Sequence, residues 1–121
     1  MIEAVCHCGA VRLALPSAPD QLTDCNCSVC RKLGVLWAYY DPGQVTITGL
    51  DATAAYVRQD QPDVGHLAFH HCRTCGCATH WSSLDTSRDR MGVNARLMPP
   101  EILAQARVRR LDGAVTWEYL D

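Results

Sequence analysis

The stretch that decides the fold is Cys72-Arg73-Thr74-Cys75-Gly76-Cys77. Its Cys72 and Cys75 have the Cys-x-x-Cys spacing of a zinc knuckle, in which the chain turns around a metal ion. Gly76 follows at the point where the chain leaves such a turn, and glycine readily adopts a positive φ there. The stretch therefore predicts two of the ligands of a metal site.

A second pair of cysteines lies near the start of the chain, in Cys6-His7-Cys8-Gly9. Residues two apart on an extended strand point to the same face, so this pair can offer two sulfurs to one ion. Together with Cys72 and Cys75, the pair predicts one closed four-thiolate zinc site. Such a site has a structural role, because it holds the N-terminal strand against the later strand beside Cys72. The alternative is that the pairs bind no metal, and their spacing favours metal.

The third group is different, because Cys25-Asn26-Cys27-Ser28-Val29-Cys30 holds three cysteines within six residues. We expect the first two on one face of a strand end and Cys30 on the first turn of a helix capped by Ser28. Three ligands leave a fourth coordination position for water or substrate, as in catalytic zinc sites. Three thiolates exceed the charge of Zn²⁺ and make it a weak Lewis acid. Such a site suits a thiol substrate, held as a nucleophile toward a small aldehyde.

Cys77 is the remaining cysteine, and its role decides between two interpretations of the third group. As a fourth ligand it would close that site and remove the open position, and a redox role is a further alternative. Because Cys77 follows Cys75 by two residues, it has little freedom to reach a distant ion. We therefore expect a buried or pocket-lining free thiol.

Composition and charge favour a small metal-binding protein of the cytosol. The chain has 121 residues, of which 8 are cysteine, and a formal net charge of −2. A negative net charge argues against nucleic-acid binding, which usually needs a basic patch. The N-terminal residues lack the pattern of a secretory signal, and the longest nearly apolar run, residues 33–40, is too short to span a membrane. We expect a cytoplasmic protein without membrane or nucleic-acid partners, in which close cysteine pairs bind metal rather than form disulfides.

Short β-branched or aromatic runs bounded by Pro, Gly or Asp predict an all-β protein. The predicted strands are residues 11–15, 36–40, 45–48, 55–58, 66–70, 78–82 and 92–97. Helical signals are confined to residues 28–33 and 99–105. No linker or repeat divides the sequence, so we expect one sandwich-like or barrel-like domain over residues 1–121 with short helical turns.

In this order, the three cysteine groups resemble the glutathione-dependent formaldehyde-activating enzyme family, whose domain also occurs in the centromere protein V group. The similarity extends into Arg31-Lys32-Leu33-Gly34 and to two C-terminal segments, residues 93–97 and Asp112-Gly113. It implies an all-β, zinc-stapled β-tent domain that carries two zinc ions. The structural-zinc ligands that it implies are Cys6, Cys8, Cys72 and Cys75. The catalytic-zinc ligands that it implies are Cys25, Cys27 and Cys30.

The resemblance implies a function as well. Members of the family are described as carbon–sulfur lyases, or S-(hydroxymethyl)glutathione synthases, which join formaldehyde to the glutathione thiol and catalyse the reverse. The implied partners are a small thiol such as glutathione and a small aldehyde. Two other functions stay open. One is a zinc-stabilised binding module without catalysis, and the other is an iron–sulfur protein that uses the third group together with Cys77.

Several residues near the cysteines have both a functional and a structural interpretation. Arg31 and Lys32 could bind the glutathione carboxylates beside the catalytic zinc, although exposed helix charges are the commoner case. His70, His71 and His80 could serve as ligands or as a general base, but thiolates suffice, so strand-end or pocket positions are favoured. The aromatic residues that could line a substrate cleft, or simply pack in the core, are Trp37, Tyr39 and Tyr40.

Overall fold

The computed structural model describes residues 2–58, 60, 66–85 and 89–121, which contain ten β-strands and two short α-helices. The strands are β1 Ile2–Val5, β2 Arg12–Leu15, β3 Gln21–Cys25, β4 Trp37–Tyr40, β5 Thr46–Thr48, β6 Thr53–Val57, β7 Leu67–Cys72, β8 Ala78–Ser83, β9 Met91–Asn94 and β10 Arg107–Leu111. The helices are α1 Ser28–Leu33 and α2 Pro100–Gln105. Single 3-10 turns lie at Pro42–Gln44, Leu50–Ala52 and Ala95–Leu97. Neither of the two described α-helices has the length and hydrophobicity that a membrane span requires.

The strands form two sheets of unequal size. Seven strands pair in the order β10-β3-β4-β9-β8-β7-β6, and the other three pair in the order β1-β2-β5. The pairing is antiparallel except between β10 and β3, which run parallel. Parallel neighbours need a long crossover connection, which most of the chain supplies here. The last strand therefore returns to lie beside β3, the strand that ends at Cys25.

Buried apolar side chains form two clusters with different roles. The larger cluster draws side chains from both sheets, including Leu13 and Leu15 of β2 and Val93 of β9. These leucines alternate with more exposed residues along β2, as expected for a strand with one buried face. The smaller cluster contains the cysteines of the third group together with Val35, Trp37, Phe69 and Trp81. One cluster holds the sheets together, and the other surrounds the third cysteine group.

The all-β prediction with short helical turns is confirmed. Each predicted strand overlaps an observed one, and α1 has the bounds predicted from the sequence. The strand predicted at residues 92–97 ends early, at Asn94. The cause is local, because the Asn94 side chain accepts a hydrogen bond from Arg96 N at 3.2 Å and caps the following 3-10 turn. Strand β10 was not predicted, whereas the N-terminal strand β1 and the strand β3 that ends at Cys25 were expected from the cysteine groups alone, without bounds.

Two predictions about the cysteine loops are wrong in their local geometry. Cys27, and not Ser28, is the N-cap of α1, and its Sγ accepts a hydrogen bond from Cys30 N at 3.4 Å. Cys6 and Cys8 lie in the turn after β1 rather than on a strand. In both loops the chain bends at a cysteine, so sulfur atoms are brought together by turns and not by strand periodicity.

Gly49 marks a close approach of two backbone segments that a larger residue would disturb. Its φ is 86°, and a Cβ at this position would overlap the carbonyl oxygen of Ala10. We expect Gly49→Ala to lower the free energy of unfolding by about 2–4 kcal/mol, because the chain must relieve both the overlap and the unfavourable φ. Urea denaturation at a fixed zinc concentration measures the loss.

Gly34→Ala is the matched control for this variant. Gly34 also has a positive φ, of 68°, but a Cβ there would meet no atom within 4 Å. Its substitution should lower the free energy of unfolding by only about 1 kcal/mol, because alanine must adopt the unfavourable φ without any overlap. Equal losses in the two variants would contradict the close approach of Gly49 to Ala10.

Candidate metal centre and pocket

Four sulfur atoms from two distant parts of the chain converge at one point. The Sγ atoms of this four-cysteine cluster all lie within 4.8 Å of one another, and they belong to Cys6, Cys8, Cys72 and Cys75. Cys8 Sγ lies 3.7 Å from Cys6 Sγ and 3.6 Å from Cys72 Sγ. The first pair follows β1, and Cys72 ends β7. The cluster therefore joins the three-stranded sheet to the seven-stranded sheet.

Two turns that end in glycine shape this cluster. In each, the glycine N–H donates to the carbonyl of the first cysteine, at 3.0 Å for Gly9 and 2.9 Å for Gly76. Their φ values are 82° for Gly9 and 81° for Gly76, and the latter confirms the positive φ predicted for Gly76. Backbone hydrogen bonding, led by the N–H of Cys77, lowers the pKa of the Cys75 thiol to about 5. A thiolate is the form in which cysteine binds metal.

The third group forms a separate three-cysteine cluster. The Sγ atoms of Cys25, Cys27 and Cys30 lie within 4.8 Å of one another, and all three residues are buried. Cys25 ends β3, Cys27 caps α1, and Cys30 lies on the first turn of that helix. A single strand-to-helix turn is thus sufficient to gather three potential ligands.

Nitrogen donors surround the three-cysteine cluster. Trp37 Nε1 donates to Cys30 Sγ at 3.2 Å, and Arg58 Nη1 lies 3.6 Å from Cys27 Sγ. The pKa of Cys27 is lowered by hydrogen bonds from the thiols of Cys25 and Cys30, with a smaller contribution from the positive charge of Arg58. The lowered pKa favours the thiolate form of Cys27. Donors that point at a thiolate orient it and stabilise its charge.

Arg58 is the buried charge of this region, with only 4% of its surface exposed. Its Nε donates to Asp60 Oδ1 at 2.8 Å, and its Nη2 donates to Ser28 Oγ at 3.5 Å. A buried guanidinium needs such partners to offset the loss of hydration. Asp60 and Ser28 therefore fix Arg58 in place beside Cys27. Arg58 was not recognised as a site residue from the sequence, because an arginine at the end of the strand predicted at residues 55–58 belongs to no recognisable motif.

The three-cysteine cluster opens into a pocket of about 300 Å³. Six aromatic side chains line it: Trp37, Tyr39, Phe69, Trp81, Trp117 and Tyr119. Two arginines, Arg58 and Arg90, also line it, and no acidic side chain does so within the described part of the chain. The guanidinium carbon of Arg90 lies 4.3 Å from the centroid of the Tyr39 ring. The pocket thus combines clustered sulfurs, apolar walls and positive charge.

The structure places the predicted glutathione-binding pair elsewhere. Arg31 and Lys32 lie on the exposed side of α1, and neither lines the pocket. The basic residues that line the pocket are instead Arg58 and Arg90. Helical periodicity explains the difference, because Cys30 points inward and its two successors then point outward.

The other predicted candidates divide between site and core. Trp37 and Tyr39 line the pocket, whereas Tyr40 packs in the larger cluster and its hydroxyl donates to Ser17 O at 3.0 Å. His70 and His80 stack with ring centroids 4.2 Å apart and line a different cavity, of about 370 Å³. These histidines are not within the three-cysteine pocket.

Both cysteine clusters have the ligands to hold a metal ion. Thiolates are soft ligands that suit zinc, copper(I) and iron–sulfur groups. Four convergent thiolates fit a closed tetrahedral zinc site, and three fit a site with one free position. Cys77 is half-buried and belongs to neither cluster. It packs against the larger apolar cluster, so it does not supply a fourth ligand to the three-cysteine cluster.

The fold and the two clusters define a class of protein: a β-domain with two separate cysteine clusters that could each hold a metal ion, one of which opens into a pocket. Within this class, the chain belongs to the glutathione-dependent formaldehyde-activating enzyme family, whose model matches residues 1–107. The resemblance seen in the sequence is thereby confirmed. The match contains all seven clustered cysteines but ends before Asp112-Gly113, whose similarity to the family remains an expectation.

Two relatives are similar to this chain. A Halomonas elongata protein, provisionally named a glutathione-dependent formaldehyde-activating enzyme, is 30% identical over 84 residues, which are 64% of this chain and 54% of that protein. This chain therefore spans about half the length of that relative. A crystal structure of a Rhodobacter sphaeroides protein has a TM-score of 0.68 at 25% identity, and the similarity covers 88% of this chain and 98% of that one. The same fold thus exists in an experimentally determined structure.

The two clusters should respond differently to the loss of one ligand. We expect Cys27→Ser to lower the zinc content by about one ion per chain and to leave the fold largely intact, because that cluster lies within one strand-to-helix turn. Cys75→Ser should unfold the domain, because it breaks the join between the two sheets. Metal analysis and circular dichroism of both variants measure these effects. Equal unfolding of the two variants, or only one zinc in the unaltered protein, would contradict this division.

Arg58 should help to retain metal at the three-cysteine cluster. We expect Arg58→Leu to weaken zinc binding there by about tenfold, because the thiolate of Cys27 loses its charged donor. Competition with a colorimetric chelator measures the affinity. Arg31→Leu is the matched control, since Arg31 carries the same charge on the exposed side of α1. If both variants release zinc equally, Arg58 acts only through the overall charge.

Proposed function

We propose that this protein is a zinc-dependent carbon–sulfur lyase that acts on a thiol–aldehyde adduct, in the manner of an S-(hydroxymethyl)glutathione synthase. In this proposal the three-cysteine cluster holds the catalytic zinc, and the four-cysteine cluster holds a structural zinc. One observation carries the proposal: three buried sulfurs converge on a pocket of about 300 Å³. Membership of the family supports it.

The ligand set suits thiol chemistry. Cys25, Cys27 and Cys30 would hold the zinc ion, which would supply a binding position where an incoming thiol loses its proton more readily and becomes a nucleophile. Neighbouring side chains of the protein hold the cysteine sulfurs in position for this role. Trp37 Nε1 donates a hydrogen bond to Cys30 Sγ, Arg58 Nη1 lies beside Cys27 Sγ, and aromatic side chains line the pocket around these sulfurs.

The proposed reaction moves two electron pairs and one proton. In the synthase direction, the thiolate sulfur forms a bond to the aldehyde carbon, and the carbonyl electron pair moves to the oxygen, which takes up a proton. In the lyase direction, the hydroxyl loses that proton, the carbonyl forms again, and the carbon–sulfur electron pair returns to sulfur. Tyr39 lines the pocket, and burial raises its pKa to about 12, so its O–H stays protonated and can donate to the oxygen.

The charges in the pocket support a thiol that carries carboxylates, as glutathione does. Arg58 and Arg90 are positive, and the described residues that line the pocket include no acid to repel an anion. Arg58 already contacts Cys27 and Asp60, so it is committed to the cysteine cluster. Arg90, stacked over Tyr39, is therefore the better placed partner for a substrate carboxylate.

A pair of cysteine variants tests the proposal. The rate at which glutathione and formaldehyde exchange with their adduct can be measured by NMR exchange spectroscopy, with and without the zinc-loaded protein. We expect the protein to raise this rate and Cys27→Ser to return it to the rate in buffer, because the substrate thiol loses its binding position. Cys77→Ser is the control, since Cys77 belongs to neither cluster. Equal rates for the two variants would overturn the assignment of the catalytic cluster.

A further inference from the structure

The chain after residue 110 forms one side of the pocket. Residues 111–119, the C-terminal wall, contribute Leu111, Trp117 and Tyr119 to the lining. Gly113 lies so close to the cysteines that a Cβ there would be 2.5 Å from Cys25 Sγ. The family match ends at residue 107, so the wall lies beyond the matched part of the chain. The cysteines of the pocket lie within the family match, whereas this side of the pocket lies beyond it.

Asn26 attaches the wall to the three-cysteine cluster. It stands between two of the clustered cysteines, and its side chain donates to Asp112 Oδ1 at 3.1 Å and accepts from Ala114 N at 2.9 Å. Its backbone N–H donates to Leu111 O at 3.2 Å. Three hydrogen bonds from one residue thus fix the position of the wall relative to the sulfurs.

Trp117 is held in an unusual backbone conformation at the pocket. Its φ is 59°, in the left-handed region that bulky residues rarely adopt. Trp117 N donates to Asp112 O at 2.7 Å, and Thr116 Oγ1 donates to Asp112 Oδ2 at 3.0 Å. These hydrogen bonds maintain the turn that directs the indole into the pocket lining. Strained conformations of this kind persist where the surrounding structure enforces them and are common at functional sites.

We propose that the C-terminal wall sets the size limit for the thiol, with Trp117 as the specificity-determining residue. This inference rests on the proposed function. The pocket, at about 300 Å³, is at the small end of the range for ligand sites. Trp117 and Tyr119 narrow it on the side that Asn26 fixes. On this proposal, a compact thiol with one carboxylate fits beside the indole of Trp117. A longer, branched thiol such as glutathione competes with the indole for space.

Thiol titrations of the cobalt-substituted protein test this inference without relying on turnover. The visible absorption of cobalt bound by thiolates changes when a further thiolate coordinates, so it gives a dissociation constant for each thiol. Mercaptoacetate serves as the compact probe and glutathione as the long one. We expect Trp117→Ala to shift the ratio of the two dissociation constants toward glutathione by about tenfold, as expected when a steric restriction is removed from a binding pocket.

Two further variants make the result decisive. Val115→Ala is the control, because Val115 lies in the same turn, is 78% exposed and does not line the pocket. It should leave the ratio unchanged. Trp117→Gly should give the same shift as Trp117→Ala and also removes the unfavourable φ, so a folding defect in one variant does not prevent the measurement.

The outcomes separate this inference from the proposed function. If the unaltered protein binds both thiols but neither Trp117 variant shifts the ratio toward glutathione, the size limit is wrong and the proposed function stands. A shift toward mercaptoacetate also overturns the size limit, because it shows that the indole contributes attraction to the longer thiol. If cobalt-loaded unaltered protein binds neither thiol, the proposed function fails and this inference fails with it.

Discussion

The rest of the structure depends on the convergence of four sulfur atoms. Cys8 and Cys72 lie 64 positions apart in the sequence, yet their Sγ atoms are 3.6 Å apart. Closing so long a loop costs conformational entropy, and the burial of apolar surface in a small domain offsets only part of this loss. A metal ion bound by four thiolates contributes folding free energy directly. Since one pair belongs to the small sheet and the other to the large sheet, the same contact fixes how the sheets pack.

The three-cysteine cluster uses similar residues for a different purpose. Cys27 caps α1 and at the same time offers its sulfur to the cluster, so one side chain serves both local structure and the site. The position of the helix is therefore tied to the position of the sulfurs. The larger apolar cluster does not need this group, because the two sheets already share Leu13, Leu15 and Val93. This division is the physical reason why the three-cysteine cluster can remain open to a pocket without weakening the fold.

The sequence predicts the two cysteine clusters because ligand spacing is a local property. It does not predict the rest of the pocket, because those residues meet only through tertiary structure. Arg58 follows β6 and Trp117 follows β10, and nothing in either neighbourhood shows that both strands end beside Cys27. Strand β10 itself was missed because Arg107–Leu111 is dense in arginine, and its parallel partner β3 lies far away in the sequence. The exposure of Arg31 and Lys32 likewise depends on which face of α1 is buried.

Charge at the three-cysteine cluster explains why the two pocket arginines differ in role. Zinc with three thiolates carries a net charge of about −1, and a substrate thiolate would make it about −2. A buried anion needs a compensating charge, and Arg58, fixed by Asp60 beside Cys27, would provide it for such a centre. Arg58 is therefore unavailable to a substrate carboxylate, because its movement would leave the negative charge of the cysteine cluster uncompensated. Arg90 contacts an aromatic ring and has no carboxylate partner within the described part of the chain. In the proposed function, one arginine would thus balance the charge of the metal centre, and the other would be available to recognise an anionic substrate.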